Sequence, residues 1–89
     1  MRIDLFLKVS GILKTRSLAD RACGAGAVTV DGRTAKSASR VFPGSVVTVV
    51  RPQGDTVAFR VDSVPESGSV SRARRASLYT VLGEDTDAD

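Results

Sequence analysis

Lys14 and Arg16 set two cations where a helix begins. They stand just before Ser17-Leu18-Ala19-Asp20, a run that reads as a helix opening. Ser17 is placed to cap the free amides. Asp20, three residues on, takes the capping-box position that Glu or Gln usually holds. A helix start carries partial positive charge, so a cation there is mildly unfavourable until an anion joins it. Free amides, the dipole and two flexible cations together describe a phosphate-binding corner. Arg2 could merely pair with Asp4 at the surface, an interaction worth little, but its place beside the same corner favours phosphate contact. Lys36 and Arg40 flank a loop of Ser and Ala that can wrap a nucleic-acid backbone or simply be solvated. The chemistry is capture of a polyanion, not bond making.

Helices must carry the first half of this arrangement. Asp4 is placed to cap a first helix, along which Leu5, Phe6, Val9, Ile12 and Leu13 repeat at helical period. Gly11 ends that helix or loosens its last turn. A second helix over about residues 16–24 turns Leu18, Ala19, Ala22 and Cys23 inward, with Gly24 and Gly26 as stop signals. Small residues on that face let the two helices pack closely.

From residue 27 the period changes to two. Val28 and Val30 alternate with Thr29, and Asp31-Gly32 is a tight-turn signal. Phe42-Pro43-Gly44 reads as a type II turn. Val46 to Val50 is a β-branched strand, Pro52 to Asp55 turns the chain, and Val57, Phe59 and Val61 alternate in a further strand. Residues 65–71 form a polar connector. Residues 72–82 fit a short helix or an edge strand equally well. Residues 83–89 read as an acidic, disordered tail. Two helices followed by a small, mainly antiparallel sheet make the fold class α+β.

Composition narrows the function. Eighty-nine residues, 42% of them apolar, make one small domain. The single cysteine excludes an internal disulfide, and it reads as core. With no histidine, the commonest metal ligand and general base is missing. No cofactor or metal is expected, and the chain is expected to be a binder rather than an enzyme. No apolar run reaches the length of a membrane span, and nothing reads as a signal peptide, so a cytoplasmic location is the expectation; a monomer is expected as well.

The net charge of +3 hides a division. Residues 1–40 hold eight cations (Arg2, Lys8, Lys14, Arg16, Arg21, Arg33, Lys36, Arg40) against three anions, and residues 1–83 carry a net +7. Such a domain attracts polyanions with strongly salt-dependent affinity. Arg72, Arg74 and Arg75 form a second cluster, readable as an RNA contact, a protein contact or solvated surface. The four aromatics are Phe6, Phe42, Phe59 and Tyr79. Such scarcity favours recognition of structured RNA by shape and phosphate position over base stacking.

The ordered set Arg2-Ile3-Asp4, Leu7, Lys14-x-Arg16-x-x-Ala19, Cys23-x-x-Gly26-x-Val28-x-Val30-x-Gly32, Lys36 and Pro43-Gly44 resembles the S-four RNA-binding domain. The two-helix core of that family is called the αL motif. The resemblance covers about residues 1–62, within a domain spanning 1–82. It implies that Arg2, Lys14, Arg16 and Lys36 face RNA, with Arg40 and Lys8 added at the edge. Three positions depart from the family pattern: Ala27 where relatives often carry a cation, Asp31 in place of Asn, and Ser45 in place of an acidic residue.

The Met-Arg-Ile-Asp start and the ending Arg75-Ala76-Ser77-Leu78-Tyr79-Thr80-Val81-Leu82 resemble the stand-alone branch of the family that acts in ribosome-associated quality control. That likeness implies four partners: large-subunit rRNA, tRNA, the stalled large ribosomal subunit, and an RqcH-like factor that brings alanyl-tRNA for alanine tailing. The acidic ending argues against the heat-shock branch, which binds dissociated large subunits and usually ends in a basic extension. A general structured-RNA module, of the kind that pseudouridine synthases and RNA methyltransferases carry, is a further alternative. A DNA-reading helix-turn-helix fits poorly, because its second helix should bear polar side chains.

Overall fold

The computed structural model describes residues 1–66 and 70–85. The middle of the 65–71 connector and the end of the acidic tail, residues 86–89, lie outside the described residues.

Helix α1 runs Ile3–Val9 and helix α2 runs Arg16–Gly24. Strands β1 (Val28–Val30), β2 (Arg33–Thr34), β3 (Val46–Val50) and β4 (Thr56–Val61) follow, then a single turn of helix, α3 (Arg72–Arg75), and β5 (Tyr79–Asp85). The five strands form one antiparallel sheet in the order β2-β1-β3-β4-β5. This is the α+β arrangement expected from the change of hydrophobic period. Residues 72–82 resolve as both of their candidate readings in succession, a helical turn and then an edge strand. That strand takes in Gly83 to Asp85, which the charge pattern had assigned to the tail.

The helices cover one face of the sheet. Ile3, Phe6 and Leu7 of α1 and Ala19 of α2 are fully buried with Val28, Val47, Val49, Val57, Phe59, Val61 and Leu78. Phe6 stacks on Phe59 with ring centroids 6.1 Å apart, and Tyr79 meets Phe59 edge-on at 5.4 Å. Alternation along β4 explains the pattern: Val57, Phe59 and Val61 point into the core while Arg60 points away.

Two caps differ from the sequence expectation. Ser17 lies inside the first turn of α2, and Thr15, whose backbone is extended (φ −135°, ψ 158°), is the cap. Its Oγ1 accepts from the Leu18 amide at 3.1 Å. The residue before a helix must leave helical geometry, and Arg16 is already helical. Asp20 closes no capping box; it accepts instead from the Ser37 hydroxyl. Asp4 likewise is not the N-cap, because α1 begins at Ile3 with Arg2 in that place; buried in the first turn, it accepts from the Leu5 amide from inside the helix.

The turns are as expected. Asp31 (φ 51°) and Gly32 (φ 82°) both take left-handed backbone, the pattern of a type I′ hairpin between β1 and β2. Ser45 N donates to the Phe42 carbonyl at 2.9 Å across Pro43-Gly44, with Gly44 at φ 98°, as a type II turn requires. Helix α2 ends in a Schellman motif, in which Ala27 N reaches the Ala22 carbonyl (2.9 Å) and Gly26 N the Cys23 carbonyl (3.1 Å).

Candidate nucleic-acid interface

Asp4 is the centre of the site. Its neighbours Ile3 and Phe6 anchor α1 in the core, which takes the carboxylate down to 3% exposure. A buried carboxylate needs donors on both oxygens. The Leu5 amide (2.7 Å) and Arg2 Nε (3.2 Å) donate to Oδ1, and Arg2 Nη2 (3.1 Å) and Arg16 Nε (3.3 Å) donate to Oδ2. One buried acid thus orients two arginines, Arg2 and Arg16, one from each helix start. Each contact uses one edge of a guanidinium fork. Both side chains stay about half exposed, at 44% and 50%, so their remaining N–H groups can meet a phosphate from solvent.

A third cation is brought in by backbone pairing. Arg2 and Arg40 form an isolated antiparallel bridge. Ile3 N donates to the Ser39 carbonyl (2.6 Å) and Val41 N to the Met1 carbonyl (2.9 Å) on either side of it. Like charges directly opposite one another are destabilising. Asp4 offsets only Arg2, and Arg40 is exposed with no ion-pair partner among the described residues. The pair therefore favours an added anion.

Lys36 opens the turn that precedes this bridge. Ser39 N donates to the Lys36 carbonyl, and the Lys36 amide donates to Ser39 Oγ, both at 2.9 Å. Asp4 N reaches the Ser37 carbonyl at 3.4 Å, and Ser37 Oγ donates to Asp20 of α2. The Ser/Ala loop is thus pinned to both helices rather than left in solvent. Cys23 lies beneath it. Burial pushes its thiol pKa up, a hydrogen bond with Ser37 opposes that, and the carboxylates of Asp4 and Asp20 add to the rise. That suits a core cysteine, not a nucleophile.

Of the six residues singled out from the sequence, Arg2, Arg16, Arg40 and Lys36 therefore converge on the start of α1. Lys14 and Lys8 do not. Lys14 lies on the rim of a cleft of about 390 Å³ between the α1–α2 connection and the β3–β4 turn, beside Leu18, Arg51 and Gln53. Lys8 is exposed in the last turn of α1. Six residues of helix at 1.5 Å each put it about 9 Å along the axis from Arg2. What the sequence does not reveal is the role of Asp4, because its second partner lies twelve positions away and its burial depends on the packing of α1.

Comparison with known proteins identifies the family and the fold. A family model described as the S4 domain matches residues 1–47. The RQC P-site tRNA stabilizing factor of Bacillus subtilis is 36% identical over 85 residues, covering 96% of this chain and 95% of that one. The factor of the same name from Halalkalibacterium halodurans is also 36% identical, covering 96% and 93%. Among solved structures, the trimeric heat shock protein 15 of Vibrio cholerae superposes with a TM-score of 0.80 at 26% identity, over 91% of this chain and 80% of that one. No helix among the described residues is long and apolar enough to cross a membrane.

Proposed function

This chain belongs to the S4 domain family, and from that premise we propose that it holds RNA through the Asp4-centred corner in ribosome quality control. The role in ribosome quality control follows from full-length likeness to the RQC factors. The observation that carries the site is the buried Asp4 carboxylate presenting Arg2 and Arg16 side by side, with Arg40 across the bridge. Arg2, Arg16, Arg40 and Lys36 grip the backbone of a large-subunit rRNA helix, Lys14 extends the contact along the α1–α2 connection, and tRNA is held beside it. The protein acts by binding, in the cytoplasm and as a monomer, on a stalled large ribosomal subunit served by an RqcH-like factor. It performs no bond chemistry of its own.

Arginine forks suit phosphate because they bond its oxygens in parallel pairs. About five such contacts give a log–log salt slope near −3 to −5. Sedimentation of the full chain with purified large subunits tests the site. Wild-type protein should co-sediment, and the Arg2→Gln, Arg16→Gln double variant should stay at the top of the gradient. That variant should melt below wild type, because the buried Asp4 carboxylate loses its arginine donors, yet remain folded at the temperature of the gradient. Undiminished co-sedimentation of that variant would refute the assignment. The likeness to heat shock protein 15 is compatible with a second reading, binding to dissociated large subunits. Recovery of subunits free of tRNA with the tagged protein would favour it.

A further inference from the structure

We propose that Arg72, Arg74 and Arg75 of α3, together with Lys8 at the end of α1, form a second RNA-backbone site, separate from the Asp4 corner. The proposal takes from the functional reading only that the ligand is RNA.

Helix α3 has no packing reason to exist in this form. None of its four residues is buried, and three of the four are arginine. One helical turn is unstable by itself, and like charges three residues apart weaken it further. It is held from outside. Leu78, just beyond it, is fully buried, and its carbonyl accepts from Asp62 N (2.8 Å) and Ser63 N (3.2 Å). On the other side, Val70 packs against the core. The fold therefore clamps a strongly cationic turn in place without using its side chains as filling.

Among the described residues, these cations also lack anions. The ion pairs among the described residues engage Arg2, Arg16, Arg51 and Arg60, and none involves α3. Arg75 lies over the C-terminal end of α1: a Cβ placed on Gly11 would sit 3.6 Å from its Cδ and 3.7 Å from its Nη1. That end of α1 carries Lys8 in its last turn, and the Lys8 carbonyl accepts from Gly11 N at 3.1 Å. Arg75 thus brings the α3 cluster to the end of α1 that carries Lys8, the opposite end from Arg2.

The chemistry favours nucleic acid over a protein or lipid partner. The only apolar side chains on the turn, Ala73 and Ala76, are too small to anchor a hydrophobic interface or enter a bilayer. Arginine forks on a rigid turn are suited to phosphate oxygens. With the corner at one end of α1 and this cluster at the other, the protein can engage two stretches of RNA backbone at once.

The test is equilibrium binding of the full chain to fluorescein-labelled bulk tRNA across a range of salt concentrations. Replacing Arg72, Arg74 and Arg75 by Gln should reduce the magnitude of the log–log salt slope by about 2. Affinity near 0.1 M salt should fall at least roughly tenfold. The milder Arg72→Gln, Arg74→Gln variant spares the contact with Gly11 and should lose about two-thirds as much. Replacing all three by Lys should keep most of the slope. Arg60→Gln removes a cation already held by Asp62 and should leave the slope within error. An unchanged slope in the triple variant would overturn the proposal. So would an equal loss per charge in Arg60→Gln, since net charge alone would then be responsible. Failure to co-sediment with large subunits, alongside an intact α3-dependent slope, would overturn the quality-control reading and leave this site standing.

Discussion

The two ends of α1 solve the same electrostatic problem in opposite ways. At its start, a buried carboxylate takes one edge of two arginines and fixes their direction, so part of the positive charge is spent on orientation. At its end, the arginines of α3 are held mainly through the backbone, between Val70 and the buried Leu78, and their full charge stays unpaired among the described residues. The first arrangement suits a phosphate in one particular place. The second suits any backbone that passes. The difference predicts that the corner supplies geometry and the α3 turn supplies salt-dependent adhesion.

The largest effect should come from emptying the corner. Losing two charge-assisted contacts, each worth about 1.5–3 kcal/mol, should weaken RNA affinity by roughly a hundredfold or more in the Arg2→Gln, Arg16→Gln variant. If removing the α3 arginines costs as much affinity at every salt concentration, the distinction between the two ends fails.

Asp4→Asn separates orientation from charge. The substitution removes an anion from the centre of a cationic site, so a purely electrostatic attraction to RNA should strengthen. If Asp4 works by aiming Arg2 and Arg16, affinity should instead fall, by about tenfold for the loss of one well-placed charged contact. Binding measured against the same labelled tRNA gives the sign directly, and tighter binding would mean that the carboxylate does no positioning. Stability should drop by about 1–2 kcal/mol, because both arginines are half exposed and the carboxylate alone is buried. The melting curve checks that figure.

Much of this was legible before any coordinates. The change from helical to alternating period at residue 27 placed the helices and strands, and Asp31-Gly32 and Pro43-Gly44 carried their turn types in their composition. Arg2 was legible as a neighbour of the Arg16 corner, but the meeting of both at Asp4, with Arg40 and Lys36 beside them, was not. It depends on which residue starts each helix, and there local composition misled. Ser17 and Thr15 are both good caps, and the extended backbone at Thr15 decides between them. Lys8 and Lys14 show the other limit. Closeness in sequence to a site does not give closeness in space when a helix of seven residues and its connection lie between. The α3 cluster was visible as charge, but its place at the end of α1 comes only from the contact of Arg75 with Gly11.

The smallest expected effect tests how firmly the α3 turn is held. Asp62 lies one residue beyond β4, where its amide donates to the Leu78 carbonyl. Its carboxylate accepts from the Thr80 hydroxyl and from Arg60 Nε at 2.9 Å, tying the end of β4 to β5 directly after the α3 segment. Those partners, Thr80 first and Arg60 second, hold the Asp62 pKa below the ordinary carboxylate range. A carboxyl with a depressed folded-state pKa adds stability above its unfolded pKa. That contribution fades as pH falls and is gone below the folded value. Asp62→Asn should therefore melt slightly below wild type at pH 7, with the gap closing as pH drops through the acidic range. Because the carboxylate is exposed, the gap should stay small. A gap that persists undiminished at the acid end would mean that Asp62 holds the strands by shape rather than by charge. The α3 turn would then keep its position, and its grip on RNA, in acid as well.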